Sequence, residues 1–484
     1  MASSIWTAAI GLAVVPLYLR YLGIEAYGLI GFFATIQAVL GLLDMGLAPT
    51  INREVARCSS SGNIDEARNL LHTLAIVYWV MACLIAMFVI ALAPLIARHW
   101  LQSKNMPQET VSHAVMLMGL VAACRWPVGL YQGALMGMQK IALSSGITSA
   151  VGTFSSLGAI FVLAFVSPTI EAFFIWQACV GMAYALIMRW ITWQSIGPRD
   201  RSRFSFNELK RIWRFSAGMS GVAVTGVVLM QLDKVLLSRM LSLDDFGRYV
   251  LAGVIANGLY IMLSPLFNAI YPRMTALVAS GETEKLIELY KSGTRLFLAL
   301  FFPIAIMAAT YSEDLLYLLT RNEHLAASTA IIASLLLLGT ALNGVMHFPY
   351  ALQLAYGSTR LPLTITIVLI LILAPMTIIL TLSYGAIGGA SAWFLLNVSY
   401  LFFGTWITHQ ELLTGHALDW LIHSVGLPLV VSLSVIALGW QTTHLEGSYF
   451  RNFLLGGSFI ILALSINLFL MPKEFLSKLR PRML

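Results

Sequence analysis

The chain has 484 residues, of which 59% are hydrophobic and 11% charged, and its mean hydropathy is +0.83. A soluble domain carries about a quarter charged residues, so soluble enzyme classes are excluded and the composition is that of a polytopic membrane protein. The net charge of +7 does not imply a nucleic-acid partner, because Lys and Arg collect in the cytoplasmic loops of such proteins.

About 20 apolar residues cross the hydrocarbon core, and runs of that kind recur from Ile5 almost to Leu470. The first, at 4–20, lacks a basic start and closes on Arg20 and Tyr21 rather than on small residues, so it reads as a retained span and not a signal peptide. Further spans are expected at 27–48, 72–97, 112–133, 144–166, 170–192, 215–238, 247–270, 296–317, 328–350, 361–382, 387–407, 420–440 and 451–471, which makes fourteen. With a cytoplasmic N-terminus, 20 of the 29 Lys and Arg residues fall in cytoplasmic segments and seven in external ones, so both ends are expected in the cytoplasm. A twelve-span count would keep the same parity.

The chain matches itself at an offset of 219 to 220 residues. Arg20, Glu25, Tyr27 and Gly28 answer Arg239, Asp244, Phe246 and Gly247, while Arg53 answers Arg273, Gly62 answers Gly281 and Gly137 answers Gly357. Farther on, Trp190-Ile191-Thr192 answers Trp406-Ile407-Thr408 at 216. Six spans separate the copies, so the halves share one orientation about a pseudo-twofold axis along the membrane normal. The expected fold is all-α: a six-helix bundle at 1–194, a basic cytoplasmic linker at 195–214, a second bundle at 215–410, and two appended helices with a basic tail at 411–484. In the linker, Ser205 and Glu208 have the spacing of a capping box, and Phe206, Leu209, Ile212 and Trp213 are placed to lie on the membrane surface among Arg199, Arg201, Arg203, Lys210, Arg211 and Arg214.

Charges inside spans are few, and each costs roughly 2.5 to 3.5 kcal/mol on insertion scales unless it faces a cavity or a partner. Arg125 lies in the fourth span, roughly 10 Å of helix rise from the span's end, too deep for simple snorkelling. With Arg53 and Arg273 at the cytoplasmic ends of the second and eighth spans, and with Lys234 in the seventh, it is a candidate for holding an anionic headgroup, since guanidinium matches phosphate oxygens. Arg53 and Arg273 are equally explained as snorkelling anchors. Asp44, Asp233 and Glu54 are candidates for coupling or gating; the competing reading for Asp233 is an ion pair with another span, because Asp233 and Lys234 project about 100° apart on a helix and need not pair. His347 reads as an interface residue rather than a proton relay. Pro127, just after Arg125, and Pro349 near the equivalent position predict helix kinks, and Gly133 with Gly137 forms a GxxxG packing motif. No HExxH, GxSxG, Walker A or paired CxxC motif occurs, so no metal or cofactor is implied.

The segment from Val14 to Arg57, with PLYLRYLGIEAYG, LLDMGL around Asp44 and INREVAR around Arg53, resembles the opening of bacterial polysaccharide-transport flippases. These are the O-antigen, capsule and exopolysaccharide lipid-linked oligosaccharide flippases of the multidrug/oligosaccharidyl-lipid/polysaccharide exporter superfamily. QLDKVLLSRMLSLDDFGRYVLA, from Gln231 to Ala252, is similar to the corresponding second-half signature. The resemblance implies alternating access, with a polyprenyl-diphosphate-linked oligosaccharide as cargo, no covalent step, an inner-membrane location, contact with membrane lipid, and a polysaccharide polymerase and chain-length regulator as partners. Similar proteins carry more residues before the first span than the MASS found here. The alternatives are a multidrug exporter or lipid II flippase of the same superfamily, and, from another class, a membrane polymerase or ligase, for which the external segment at 98–111 is too short.

Overall fold

The computed structural model describes residues 2–44, 46–197, 204, 206–443 and 449–471, and all regular elements among them are helices. Arg199, Arg201, Arg203, Ser205, the side chains of Glu208, Leu209, Arg211, Ile212, Trp213 and Arg214, and the tail from 472 lie outside the described residues. Among the described residues ten helices, some of them joined end to end, are long and apolar enough to cross a membrane. The described residues form two compact units, Met1–Gly247 and Arg248–Leu484.

The first unit begins with α1 (Ala2–Gly41), which is interrupted at Gly23, where φ is +78°. It continues through α2 (Leu47–Ser61), α3 (Ile64–His99), α4 (Gln108–Arg125), α5 (Val128–Gly137), α6 (Ile141–Phe165), α7 (Ile170–Ile196) and α8 (Phe206–Met240). α9 (Leu243–Asn257) starts within this unit. The second unit holds α10 (Tyr260–Ala279), α11 (Thr283–Thr310), α12 (Ser312–Thr320), α13 (Glu323–Val345), α14 (His347–Ala355) and α15 (Arg360–Leu412), followed by the single turn α16 (Ala417–Asp419), α17 (Leu427–Thr443) and α18 (Tyr449–Phe469). α15 is broken at Gly385, and Gly388 rests against the Leu380 carbonyl, so the chain doubles back there. Two of these helices, α1 and α15, are broken within, at Gly23 and Gly385, and α18 adds a shorter apolar stretch, Leu454–Phe469.

The repeat has visible physical causes. Gly62 and Gly281, matched in sequence, both end a helix in the left-handed region (φ +75° and +71°), where a side chain would be strained. Gly28 and Gly247 pack backbone to backbone: a Cβ on Gly28 would lie 3.3 Å from the Gly247 nitrogen. Gly133 and Gly137 bring α5 against α2, since a Cβ on either would reach within 2.5 Å of the Ala48 or Asn52 carbonyl oxygen. One match shifts locally, because the left-handed residue after α5 is Gln139 and after α14 is Gly357, a separation two residues shorter than the Gly137 to Gly357 pairing.

The turn after α3 in the first unit is held by carboxylates. Glu25, 7% exposed, accepts hydrogen bonds from the backbone nitrogens of Lys104 (2.6 Å) and Asn105. Ser242 and Asp245 cap the start of α9 reciprocally, with the Ser242 hydroxyl donating to Asp245 at 2.7 Å and accepting from its backbone nitrogen. Arg239 stacks over Trp100 at 5.3 Å, and the Trp100 indole donates to Ser238. These contacts fasten the end of α8 to the first unit.

Candidate functional site

The fourth span breaks where Arg125 ends α4 and α5 resumes at Val128. Pro127 has no N–H to give to the preceding turn, which explains the break. Arg125 Nη2 donates to Gln177 Oε1 on α7 at 2.5 Å, and the same oxygen accepts from Ser155 Oγ on α6 at 2.8 Å. One turn beyond Gln177, Gly181 leaves room for the arginine: a Cβ there would lie 3.1 Å from Arg125 Cγ. Gln177 and Ser155 are each 7% exposed. Nearby, Gln132 donates to Tyr184 (2.8 Å) and Thr148 (3.0 Å), whose hydroxyls lie 2.8 Å apart. The phenols of Tyr184 and Tyr18 are within electrostatic range of the guanidinium.

Among the described residues no carboxylate lies within 4 Å of Arg125. A neutral amide satisfies one donor of the guanidinium and leaves its charge uncompensated. That arrangement favours an anion and disfavours a cation. Sequence reasoning singled out Arg125 and not the groups around it; the available signal was the small and polar stripe Gln177, Gly181 and Tyr184 at helical spacing on α7.

The other expected residues are placed differently. Arg53 on α2 and Arg273 on α10 are exposed; Ser264 and Asn268, also exposed on α10, project to a different side of that helix from Arg273. Glu54 pairs with Arg57 at 3.0 Å, and Arg57 also binds Glu66 at 2.5 Å, so this carboxylate belongs to a three-member ion network. Hydrogen bonding to Glu66 and the charge of Glu54 push the Arg57 guanidinium further above its ordinary range. Asp44 accepts from the Tyr78 hydroxyl and, at 3.2 Å, from the Ala48 backbone nitrogen, which fixes the start of α2. Asp233 and Lys234, expected to point apart, do pair: Lys234 Nζ lies 3.1 Å from Asp233 Oδ1, and it also donates to the Met230 carbonyl at 2.9 Å. The flexible lysine stem curls back to its neighbour because Asp233 is only 3% exposed and needs a partner.

In the second unit the tenth span breaks at Met346, between α13 and α14. Here Asn343 donates to Asn397 Oδ1 at 2.9 Å and accepts from the Tyr260 hydroxyl at 3.0 Å. Asn397 in turn donates to the Trp393 carbonyl. His347 bonds the Asn343 carbonyl at 3.3 Å and sits among the rings of Tyr260 and Phe267.

The chain is similar to a Shigella flexneri protein described as a candidate O-antigen transporter, with 20% identity over 378 residues, covering 77% of this chain and 87% of that protein. Its fold is similar to that of the lipid II flippase MurJ in an inward closed conformation, at a TM-score of 0.73 and 14% identity, covering 96% of this chain and 97% of MurJ. It is also similar to an inward-facing multidrug resistance MATE family transporter of the MOP superfamily, at a TM-score of 0.67 and 14% identity over 85% of this chain and 96% of the other. The fold is thus the two-bundle transporter fold of a multi-pass membrane protein. The family of polysaccharide biosynthesis proteins matches residues 1–278, more than half of the length, and the chain belongs to that family.

Proposed function

We propose that the protein is a flippase that moves polyprenyl-diphosphate-linked oligosaccharide units from the cytoplasmic to the outer leaflet of the bacterial inner membrane by alternating access. The observation that carries this reading is the uncompensated charge of Arg125 among the neutral polar side chains of the first unit, in a chain whose family is that of polysaccharide biosynthesis. Arg125 grips the diphosphate, and Arg53 and Arg273 on their exposed faces guide it. Lys234 joins them when Asp233 releases it, and Asp233, Asp44 and Glu54 are the carboxylates that exchange their present partners for a coupling ion. Both termini are cytoplasmic, in line with the distribution of Lys and Arg. The functional halves are 1–194 and 215–410, joined by the linker at 195–214, with the residues from 411 appended. Transport requires no covalent step, and the downstream partners are a polymerase and a chain-length regulator.

Loss of the protein should leave lipid-linked units on the cytoplasmic leaflet and stop surface polysaccharide while the units are still made. Membranes that made no lipid-linked unit would point instead to a synthetic enzyme. An exporter of drug cations would need carboxylates where this site has a guanidinium.

A further inference from the structure

A cavity of about 450 Å³ in the first unit is lined by residues of α3, by Tyr131 of α5, and by Arg189 and Trp193 of α7. One wall is a stripe on α3, Ile76, Val80, Leu84 and Met87, whose members are 39 to 60% exposed. From Ile76 to Met87 the helix rises about 16 Å, close to the roughly 15 Å of one leaflet's hydrocarbon. The floor is closed by Trp79, whose indole donates to the Tyr131 hydroxyl at 3.3 Å.

Chemistry is concentrated at one end. His72 begins the stripe one turn before Ile76 and meets Trp193 edge-on at 6.4 Å, and Arg189 of α7 completes the rim. Among the described residues Arg189 has no hydrogen bond or ion pair. This is the end at which α3 begins and α7 finishes, tied by Arg68 Nε donating to the Ile196 carbonyl at 3.0 Å. A cation at the rim over an apolar trough one leaflet deep matches a molecule with an anionic head and an acyl tail.

We propose that this groove holds one anionic glycerophospholipid of the leaflet on the Gly62 side, its phosphate on Arg189 and one acyl chain along Ile76 to Met87. The site is independent of the transport reading. Arg189 supplies forked donors to phosphate, and Trp193 marks the headgroup level as interfacial aromatics do.

Native mass spectrometry of the full-length protein, delipidated and titrated with phosphatidylglycerol or phosphatidylcholine, tests it. Wild-type protein should retain one phosphatidylglycerol in preference to phosphatidylcholine. Arg189→Gln should weaken that retention about tenfold or more, and Val80→Trp, which fills the trough without touching the head, should abolish it. Equal retention by the wild type and Val80→Trp overturns the proposal, and this arm stands even if Arg189→Gln folds poorly. Displacement of the lipid by inorganic phosphate alone would make it a free-anion site, and displacement by polyprenyl phosphate at lower concentration would make it a prenyl-tail site; either result also overturns it.

Discussion

In the first unit the fourth span breaks beside Arg125, whose guanidinium rests on the buried amide of Gln177; in the second the tenth span breaks beside Asn343, which rests on the buried amide of Asn397. The two acceptors stand 220 residues apart, within the offset that relates the halves. Break and buried amide are thus common to both units, and the charge belongs to one. A neutral amide pair deep in a span satisfies itself, whereas a lone guanidinium carries a cost of roughly 2.5 to 3.5 kcal/mol that neutral neighbours cannot cancel. On the proposed function, that difference puts the grip on the diphosphate at the break in the first unit, while the break in the second carries aromatic and amide groups.

Altering the amides sharpens that contrast. Gln177→Leu strips the guanidinium of its acceptor and should lower stability by about 1.5 to 3 kcal/mol, read as thermal unfolding of the purified protein. Gln177→Glu is the more incisive change: by neutralising Arg125 it should hold or raise the melting temperature while transport falls at least tenfold. If transport survived the carboxylate, the uncompensated charge would not be the reason for the site. In the second unit, Asn343→Leu should cost less, about 0.6 to 1.7 kcal/mol, the range of interhelical hydrogen bonds in membranes. Transport per folded molecule should change by less than about twofold, since no charge is involved, and Asn343→Leu with Asn397→Leu should cost less than the sum of the single changes. The smallest effect is expected at Arg57→Ala, below about 1 kcal/mol, because its side chain is 47% exposed and solvent screens the pairs with Glu54 and Glu66.

Much of the fold was legible because it depends on one-dimensional signals. Apolar run length gave the spans, and Pro127 marked the break beside Arg125. The break in the second unit falls at Met346, three residues before Pro349, since a proline is accommodated in the first turn of a new helix such as α14. Matched glycines proved to be matched turns and crossings, as Gly62 with Gly281 and Gly28 with Gly247 show. The site was legible only at its charge. Gln177, Asn343 and Asn397 carry no charge and do not disturb the hydropathy of their spans, so their roles depend on which residues three helices bring face to face. That Asp233 and Lys234 pair was not legible for a related reason: helical projection orients Cβ atoms and leaves the pairing open, while a four-carbon stem can reach around them.

The role proposed for Arg125 is to supply the charge that holds the anionic cargo. It is tested most directly by the initial rate at which proteoliposomes move a polyprenyl-diphosphate-linked oligosaccharide, followed as exposure of the sugar to a membrane-impermeant reagent and expressed per folded molecule. Arg125→Ala should reduce that rate about ten- to hundredfold, the equivalent of a lost hydrogen bond to a charged group, and Arg125→Lys should keep part of it through a point charge without the fork. A well-folded Arg125→Ala protein that transported at the wild-type rate would contradict the account.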